Sequence, residues 1–136
     1  MSLVIDSSAI LAWVHGDERT PEIEAVFDRV VEEGAIVPHL WHLEVANSLT
    51  VAVRRKRVSQ VFRDDVLKDL ADLNISADGD TAANAWGATV RLAGLYGLTV
   101  YEAAYMELAQ RLRLPLATLD RALAKAARAA GIEILP

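Results

Sequence analysis

Apolar positions along this chain follow two alternating rhythms. Short unbroken runs give way to longer stretches in which apolar residues return every third or fourth position. Leu3-Val4-Ile5 is the first short run and stops at Asp6, which predicts a buried strand. Ser7 to His15 predicts a short helix. Thr20-Pro21 supplies an N-cap followed by proline at the first helical position. Ile23, Val26, Phe27, Val30 and Val31 then make one helical stripe, which Gly34 ends. Ala35 to Pro38 predicts a second strand, and 41–57 a helix with a basic end. Ser59 caps a further helix whose stripe is Phe62, Val66, Leu70 and Leu73. Asn74-Ile75-Ser76 predicts a short third strand. Asp80 or Thr81 opens a helix through Ala85, Trp86, Thr89 and Ala93, punctuated by Gly94 and Gly97.

Thr99 and Glu102 have the spacing of a capping box. The helix they open puts Tyr101, Ala104, Tyr105, Leu108 and Leu112 on one face. Leu116 to Leu119 predicts a fourth strand ending at Asp120, then an alanine-rich helix to Gly131 and a fifth strand within 132–135. Strands that alternate with helices imply an α/β fold: one domain over 1–136, with a central parallel sheet of about five strands and helices on both faces. Sites in such sheets form beyond the carboxyl ends of the strands.

That rule singles out four acids. Asp6 and Asp120 each end a strand run. Glu102 lies in the first turn of a helix after a strand-like or loop segment. Glu44 lies early in the helix after the second strand, on a mostly apolar stripe with Leu40, Asn47 and Val51, which turns it inward. Each has an ordinary structural explanation. Asp6 and Asp120 suit helix N-caps, Glu102 suits the third position of a capping box, and Glu44 complements a helix dipole. Taken together they mean more. Carboxylates that converge repel one another and hold protons more tightly unless a cation lies between them.

Composition narrows the cation and the substrate. The 136 residues are 53% hydrophobic and 24% charged, enough for a sizeable core. There is no cysteine, so disulfides, thiolate metal sites and thiol nucleophiles drop out. Hard oxygen donors alone favour Mg²⁺ or Mn²⁺, held as one ion or two. Such ions polarise phosphates and generate a hydroxide nucleophile. The net charge of −5 argues against a purely electrostatic nucleic-acid binder. Two dications would bring it close to neutral. The longest apolar run, Ala9 to Val14, is too short to span a bilayer, and the first residues lack the pattern of a signal peptide. The expectation is a cytoplasmic protein with no membrane role.

The residues also resemble a family. Val4-Ile5-Asp6-Ser7-Ser8-Ala9, Glu44-Val45-Ala46-Asn47-Ser48-Leu49, Leu98-Thr99-Val100-Tyr101-Glu102-Ala103-Ala104-Tyr105 with Leu108-Ala109, and Ala117-Thr118-Leu119-Asp120 resemble, in order and spacing, the PIN-domain ribonucleases. The VapC-type toxins of type II toxin–antitoxin pairs are the most similar subgroup. The resemblance implies a five-stranded parallel sheet and Mg²⁺- or Mn²⁺-dependent endonucleolytic cleavage of RNA. It implies Asp6, Glu44, Glu102 and Asp120 as the catalytic, metal-holding acids, with Ser8 and Thr118 as supporting hydroxyls and Asn47 as a supporting amide. It further implies a cognate antitoxin that blocks the acidic cleft, and a homodimer. The chain departs from the family pattern at Glu102, where aspartate is usual. The extra methylene moves the carboxylate by about 1.5 Å, a distance to which metal sites are sensitive.

Several features stay outside this reading. His39 and His42 lack a third ligand for zinc and suit exposed positions at a helix start. His15 carries no signal. Arg54-Arg55-Lys56-Arg57 suits either RNA phosphates or a solvated helix end complementing the dipole. Trp13, Trp41 and Trp86 fit core or interface positions better than base stacking. Asp78-Gly79-Asp80 reads as a turn with an N-cap rather than a calcium loop. A phosphoacceptor receiver domain would need a lysine at a late strand end, and none of Lys56, Lys68 or Lys125 fits. A phosphatase with an Asp-x-Asp nucleophile lacks its second acid, because Ser7-Ser8 follow Asp6. The remaining alternative is a catalytically silent PIN-like domain that binds RNA or protein.

Overall fold

The structure, a computed structural model, describes residues 2–136; Met1 lies outside the described residues. Five short strands form one sheet: β1 (Leu3–Ile5), β2 (Ala35–Val37), β3 (Ile75–Ala77), β4 (Leu116–Ala117) and β5 (Ile134–Leu135). Their order is β3-β2-β1-β4-β5, and every pairing is parallel. The helices between them are α1 (Ser7–Val14), α2 (Pro21–Glu33), α3 (Trp41–Arg54), α4 (Gln60–Ala71), α5 (Thr81–Asn84), α6 (Val90–Tyr96), α7 (Val100–Leu112) and α8 (Arg121–Ala129). A π-helical segment, Ala85–Thr89, joins α5 to α6. No helix among the described residues is long and apolar enough to cross a membrane.

The boundaries follow from local chemistry. Thr20 accepts from the Ile23 amide at the start of α2, Ser59 from Phe62 at the start of α4, and Thr99 and Glu102 close a reciprocal capping box at α7. Gly34 ends α2 with φ +79°, and a Cβ there would sit 2.8 Å from the Asn74 amide nitrogen. Only glycine serves this corner, where the Ala35 amide also bonds the Asn74 carbonyl at 2.9 Å.

The central strand β1 is the core's floor. Leu3, Val4 and Ile5 are fully buried, as β1 is flanked by strands on both edges and covered on both faces. Helices α1, α3, α7 and α8 pack around it through Ile10, Leu49, Met106, Leu108 and Leu123. Trp13 stacks on Phe27 with ring centroids 3.6 Å apart, pinning α1 to α2, and Trp41 is buried. Trp86 is 95% exposed, so it is not a core residue; the π segment turns its ring to solvent.

Some elements differ from the sequence expectation. The fourth and fifth strands are two residues each, and α3 ends at Arg54 rather than Arg57. Tyr101 lies in the first turn of α7 but faces solvent; the buried face runs from Ala103 to Ala109 and includes Glu107. Asp80 precedes α5 without capping it through its side chain. Asp78 instead accepts from Arg111 at 2.6 Å, and Arg111 also pairs with Glu107 at 2.9 Å. This buried network ties the turn after β3 to α7.

Candidate active site at the carboxyl edge of the sheet

The strand order fixes where a site belongs. From β1 the chain moves outward through β2 to β3, then returns to the other side of β1 for β4 and β5. The order therefore reverses between β1 and β4, and a crevice opens beyond their carboxyl ends. Asp6 follows β1 there, and Thr118 and Asp120 follow β4. In a parallel sheet the helices that follow the strands begin at this same edge, so α1, α3 and α8 direct their amino ends toward it.

Asp6 is buried, and three donors hold it. Ser8 Oγ donates to Oδ1 at 2.6 Å, the Ala9 amide to Oδ1 at 3.1 Å, and Thr118 Oγ1 to Oδ2. Asp6 is thus both the N-cap of α1 and the centre of a hydroxyl cradle. Asp120 likewise caps α8, accepting from the Leu123 amide at 2.9 Å. The two loops are stitched together: the Leu119 amide donates to Ser8 Oγ at 2.9 Å and the Asp120 amide to Thr118 Oγ1 at 3.0 Å. The cap explanation and the site explanation hold together for both aspartates.

Glu44 is half-buried in the first turn of α3 and accepts a hydrogen bond from the Tyr105 hydroxyl on α7. Burial pushes the Asp6 carboxyl above the usual carboxylate range. The bonds from Ser8, Thr118 and Ala9 pull it back, and the charge of Asp120 pushes it up again. Burial also raises Glu44, the Tyr105 hydroxyl opposes that rise, and the charge of Asp6 reinforces it. Burial and the Glu44 carboxylate push the Tyr105 phenol up, so it stays a neutral donor.

Asp6 therefore feels the charge of Asp120, and Glu44 that of Asp6. None of the three forms an ion pair with lysine or arginine among the described residues. Glu102 is placed differently. Its carboxylate accepts from the Thr99 amide at 2.9 Å, reaching back along its own helix. Asn47 and Ser8 line a groove beside the acids. His39 and His42 are exposed, with no third ligand gathered near them among the described residues.

The donor set is all oxygen and anionic, which suits a hard dication. Among the described residues no three acidic or imidazole groups stand assembled around one point. The acids influence one another in pairs, Asp120 on Asp6 and Asp6 on Glu44, rather than standing in a finished cage. The donors fit Mg²⁺ or Mn²⁺ in type, and their mutual repulsion is what a cation would relieve.

Tyr105, the hydrogen-bond partner of Glu44, is the site neighbour that the sequence pattern hid. Its place among apolar residues on α7 marks it as core, and its partner lies 61 positions away. A buried tyrosine hydroxyl that must find an acceptor is the one signal available.

Comparison with known proteins agrees with this fold. The family model described as PIN domain matches residues 3–129. Ribonuclease VapC3 of Pyrobaculum aerophilum is 33% identical over 125 residues, spanning 92% of this chain and 94% of the relative. The crystal structure of PAE2754 from Pyrobaculum aerophilum superposes with a TM-score of 0.71 at 25% identity, covering 98% of this chain and 89% of that one. The crystal structure of FitAcB from Neisseria gonorrhoeae shares the fold, with a TM-score of 0.67 at 13% identity over 98% and 96% of the two chains.

Proposed function

Since the chain belongs to the PIN-domain family and is a relative of the VapC ribonucleases, we propose that it is a toxin endoribonuclease that hydrolyses RNA phosphodiester bonds. Its cofactor is Mg²⁺ or Mn²⁺, and Asp6, Glu44 and Asp120 are the acids that hold it. Glu102 is the fourth: its cap engages one carboxylate oxygen, which leaves the other for the ion. A bound divalent ion in such a site polarises the phosphate and lowers the pKa of water.

The chain's own residues have separate tasks. Ser8 and Thr118 keep both Asp6 oxygens in place and hold the β1 and β4 loops together. Tyr105 fixes one oxygen of Glu44. Asn47, one turn beyond Glu44 on α3, offers an amide to a substrate oxygen. The amino ends of α1 and α8 favour negative charge at this edge. No side chain is needed as nucleophile, because water fills that role.

The observation that carries the reading is the placement of Asp6 and Asp120 at the carboxyl ends of β1 and β4, where the strand order reverses, with no ion pair to Asp6, Asp120 or Glu44 from lysine or arginine among the described residues. A metal-titrated RNA cleavage assay tests it. Wild type should cleave only with Mg²⁺ or Mn²⁺, and Asp6→Ala should lose cleavage while keeping a folded circular dichroism spectrum. Cleavage by that variant at the wild-type rate refutes the assignment.

The VapC relationship extends the proposal to a cognate antitoxin that covers the acidic cleft, and to a homodimer. Trp86 and Val90, exposed one turn apart, offer an apolar face for the second copy. One observation favours a second reading. Glu102 stands where the family usually has aspartate, and a metal site altered there fits a PIN-like domain that binds RNA or protein without cutting. Absence of cleavage in every metal, with RNA or protein binding retained, would select that reading.

A further inference from the structure

A groove of about 540 Å³ runs between α1 and α3, beginning beside the acids. Ser8, Asn47 and Leu119 line the end that adjoins Asp6 and Asp120, while Arg55 and Arg57 line the other. The axial distance from Asn47 to Arg55 is about 12 Å at the rise of an α-helix. Glu44, Asn47, Val51 and Arg55 follow one another at three- and four-residue steps. One stripe of α3 therefore carries an acid at its first turn and a guanidinium at its end.

The backbone brings Arg57 into the same groove. Lys56 adopts a left-handed conformation, φ +59°, where glycine is usual. The Arg57 amide bonds the Ala52 carbonyl at 2.9 Å and the Lys56 amide bonds Val53 at 3.0 Å, folding the chain back on the helix end. Arg55 makes no ion pair among the described residues. Arg57 has only a loose partner there, Glu18 across the groove at 4.0 Å, with both side chains about half exposed.

A basic helix end needs no more than charge near its last carbonyls to complement the dipole. That does not account for two guanidiniums lining one groove that starts at the acids. A strand whose negative charges repeat along its length does. One phosphate meets the acid site, where a cation offsets the repulsion, and another meets the arginines. An acidic peptide laid along the same path would set its carboxylates against Glu44 and Asp6.

We infer that Arg55 and Arg57 grip an RNA phosphate displaced from the bond to be cut, so that the strand lies along α3, and that Glu18 weakens this grip by occupying Arg57. The inference rests on the nuclease reading for its substrate, but its test does not need cleavage. Binding of a labelled single-stranded RNA oligonucleotide is measured by fluorescence anisotropy in EDTA across a salt series. Arg55→Ala/Arg57→Ala should weaken binding about tenfold at low salt and flatten the log–log salt slope by about 0.7, the contribution of one single-strand phosphate contact. Glu18→Gln should tighten binding about two- to fivefold, a gain that misfolding cannot mimic. Lys68→Ala, an exposed charge on α4, should change nothing. With Mg²⁺ present, the arginine variant should raise KM with kcat within about twofold.

Wild-type affinity and salt slope in the double arginine variant would overturn the inference, as would weaker binding by Glu18→Gln. It would also fall if polyglutamate bound as tightly as RNA with the same arginine dependence. A wild-type protein that binds RNA through these arginines but cleaves none would sink the nuclease reading and leave the groove assignment standing.

Discussion

Replacing Tyr105 with phenylalanine removes one hydroxyl and leaves a buried ring in place. That hydroxyl donates to Glu44, and it is the contact that opposes the upward push of burial on the Glu44 carboxyl. A hydrogen bond to a charged acceptor is worth about 1.5–3 kcal/mol when solvent is excluded. Glu44 keeps one side toward water, so the lower part of that range applies, about 1.5–2 kcal/mol. If the bond holds Glu44 ready for a cation, Tyr105→Phe should weaken Mn²⁺ binding about ten- to thirtyfold, in line with the loss usual when a partner of a metal ligand is removed. The loss should be larger at mildly acidic pH, because the freed carboxyl holds its proton more firmly. Calorimetric Mn²⁺ titration at two pH values reads both effects, and Mn²⁺-dependent cleavage of a fluorogenic RNA reads the consequence. Ring packing survives, so the melting temperature should move by only a few degrees, about what 1 kcal/mol produces in a chain of this size. Unchanged Mn²⁺ affinity and unchanged cleavage in Tyr105→Phe would refute the reasoning.

Asp6 and Glu44 both titrate above their ordinary values of 3.8 and 4.5 in the folded chain. The unfolded chain therefore loses these protons first, and the stability they lend is full below those values and lost as pH rises through the folded ones. Thermal melts in EDTA should decline from mildly acidic to neutral pH on this account; Asp6→Asn should flatten the decline, and an equally steep fall in that variant would contradict it. Glu102→Gln preserves a capping-box partner and removes the charge, so it should melt like wild type and lose at most about tenfold in cleavage. Glu102→Ala should be less stable by about 1 kcal/mol, and loss of cleavage in the glutamine variant as deep as in Asp6→Ala would make Glu102 an equal ligand. Trp86→Glu should convert a dimer to a folded monomer in sedimentation velocity, and a dimer that persists would move the interface elsewhere.

Elements set by neighbouring residues were legible from the chain. Leu3-Val4-Ile5 before Asp6, the Thr20-Pro21 cap, Gly34 as a stop and the Thr99–Glu102 box each rest on contacts within a few positions. Contacts that the fold creates were not. Nothing near Tyr105 points to Glu44, and nothing near Asp78 points to Arg111 or to the buried Glu107 beside it. Helical periodicity places Trp86 on a stripe, but a π segment changes the angular step and turns it to solvent. The four acids illustrate both cases. Strand ends locate Asp6 and Asp120, and the inward stripe locates Glu44. Whether Glu102 joins them depends on where its second carboxylate oxygen reaches, which sequence spacing cannot weigh.

The central claim is that Asp6, Glu44 and Asp120 share a dication. Anomalous diffraction from crystals soaked in Mn²⁺ tests it most directly. The account predicts a peak within coordination distance of Asp6 and at least one of Glu44 and Asp120, absent from Asp6→Ala crystals. A peak elsewhere on the protein, or none at saturating Mn²⁺, would contradict it.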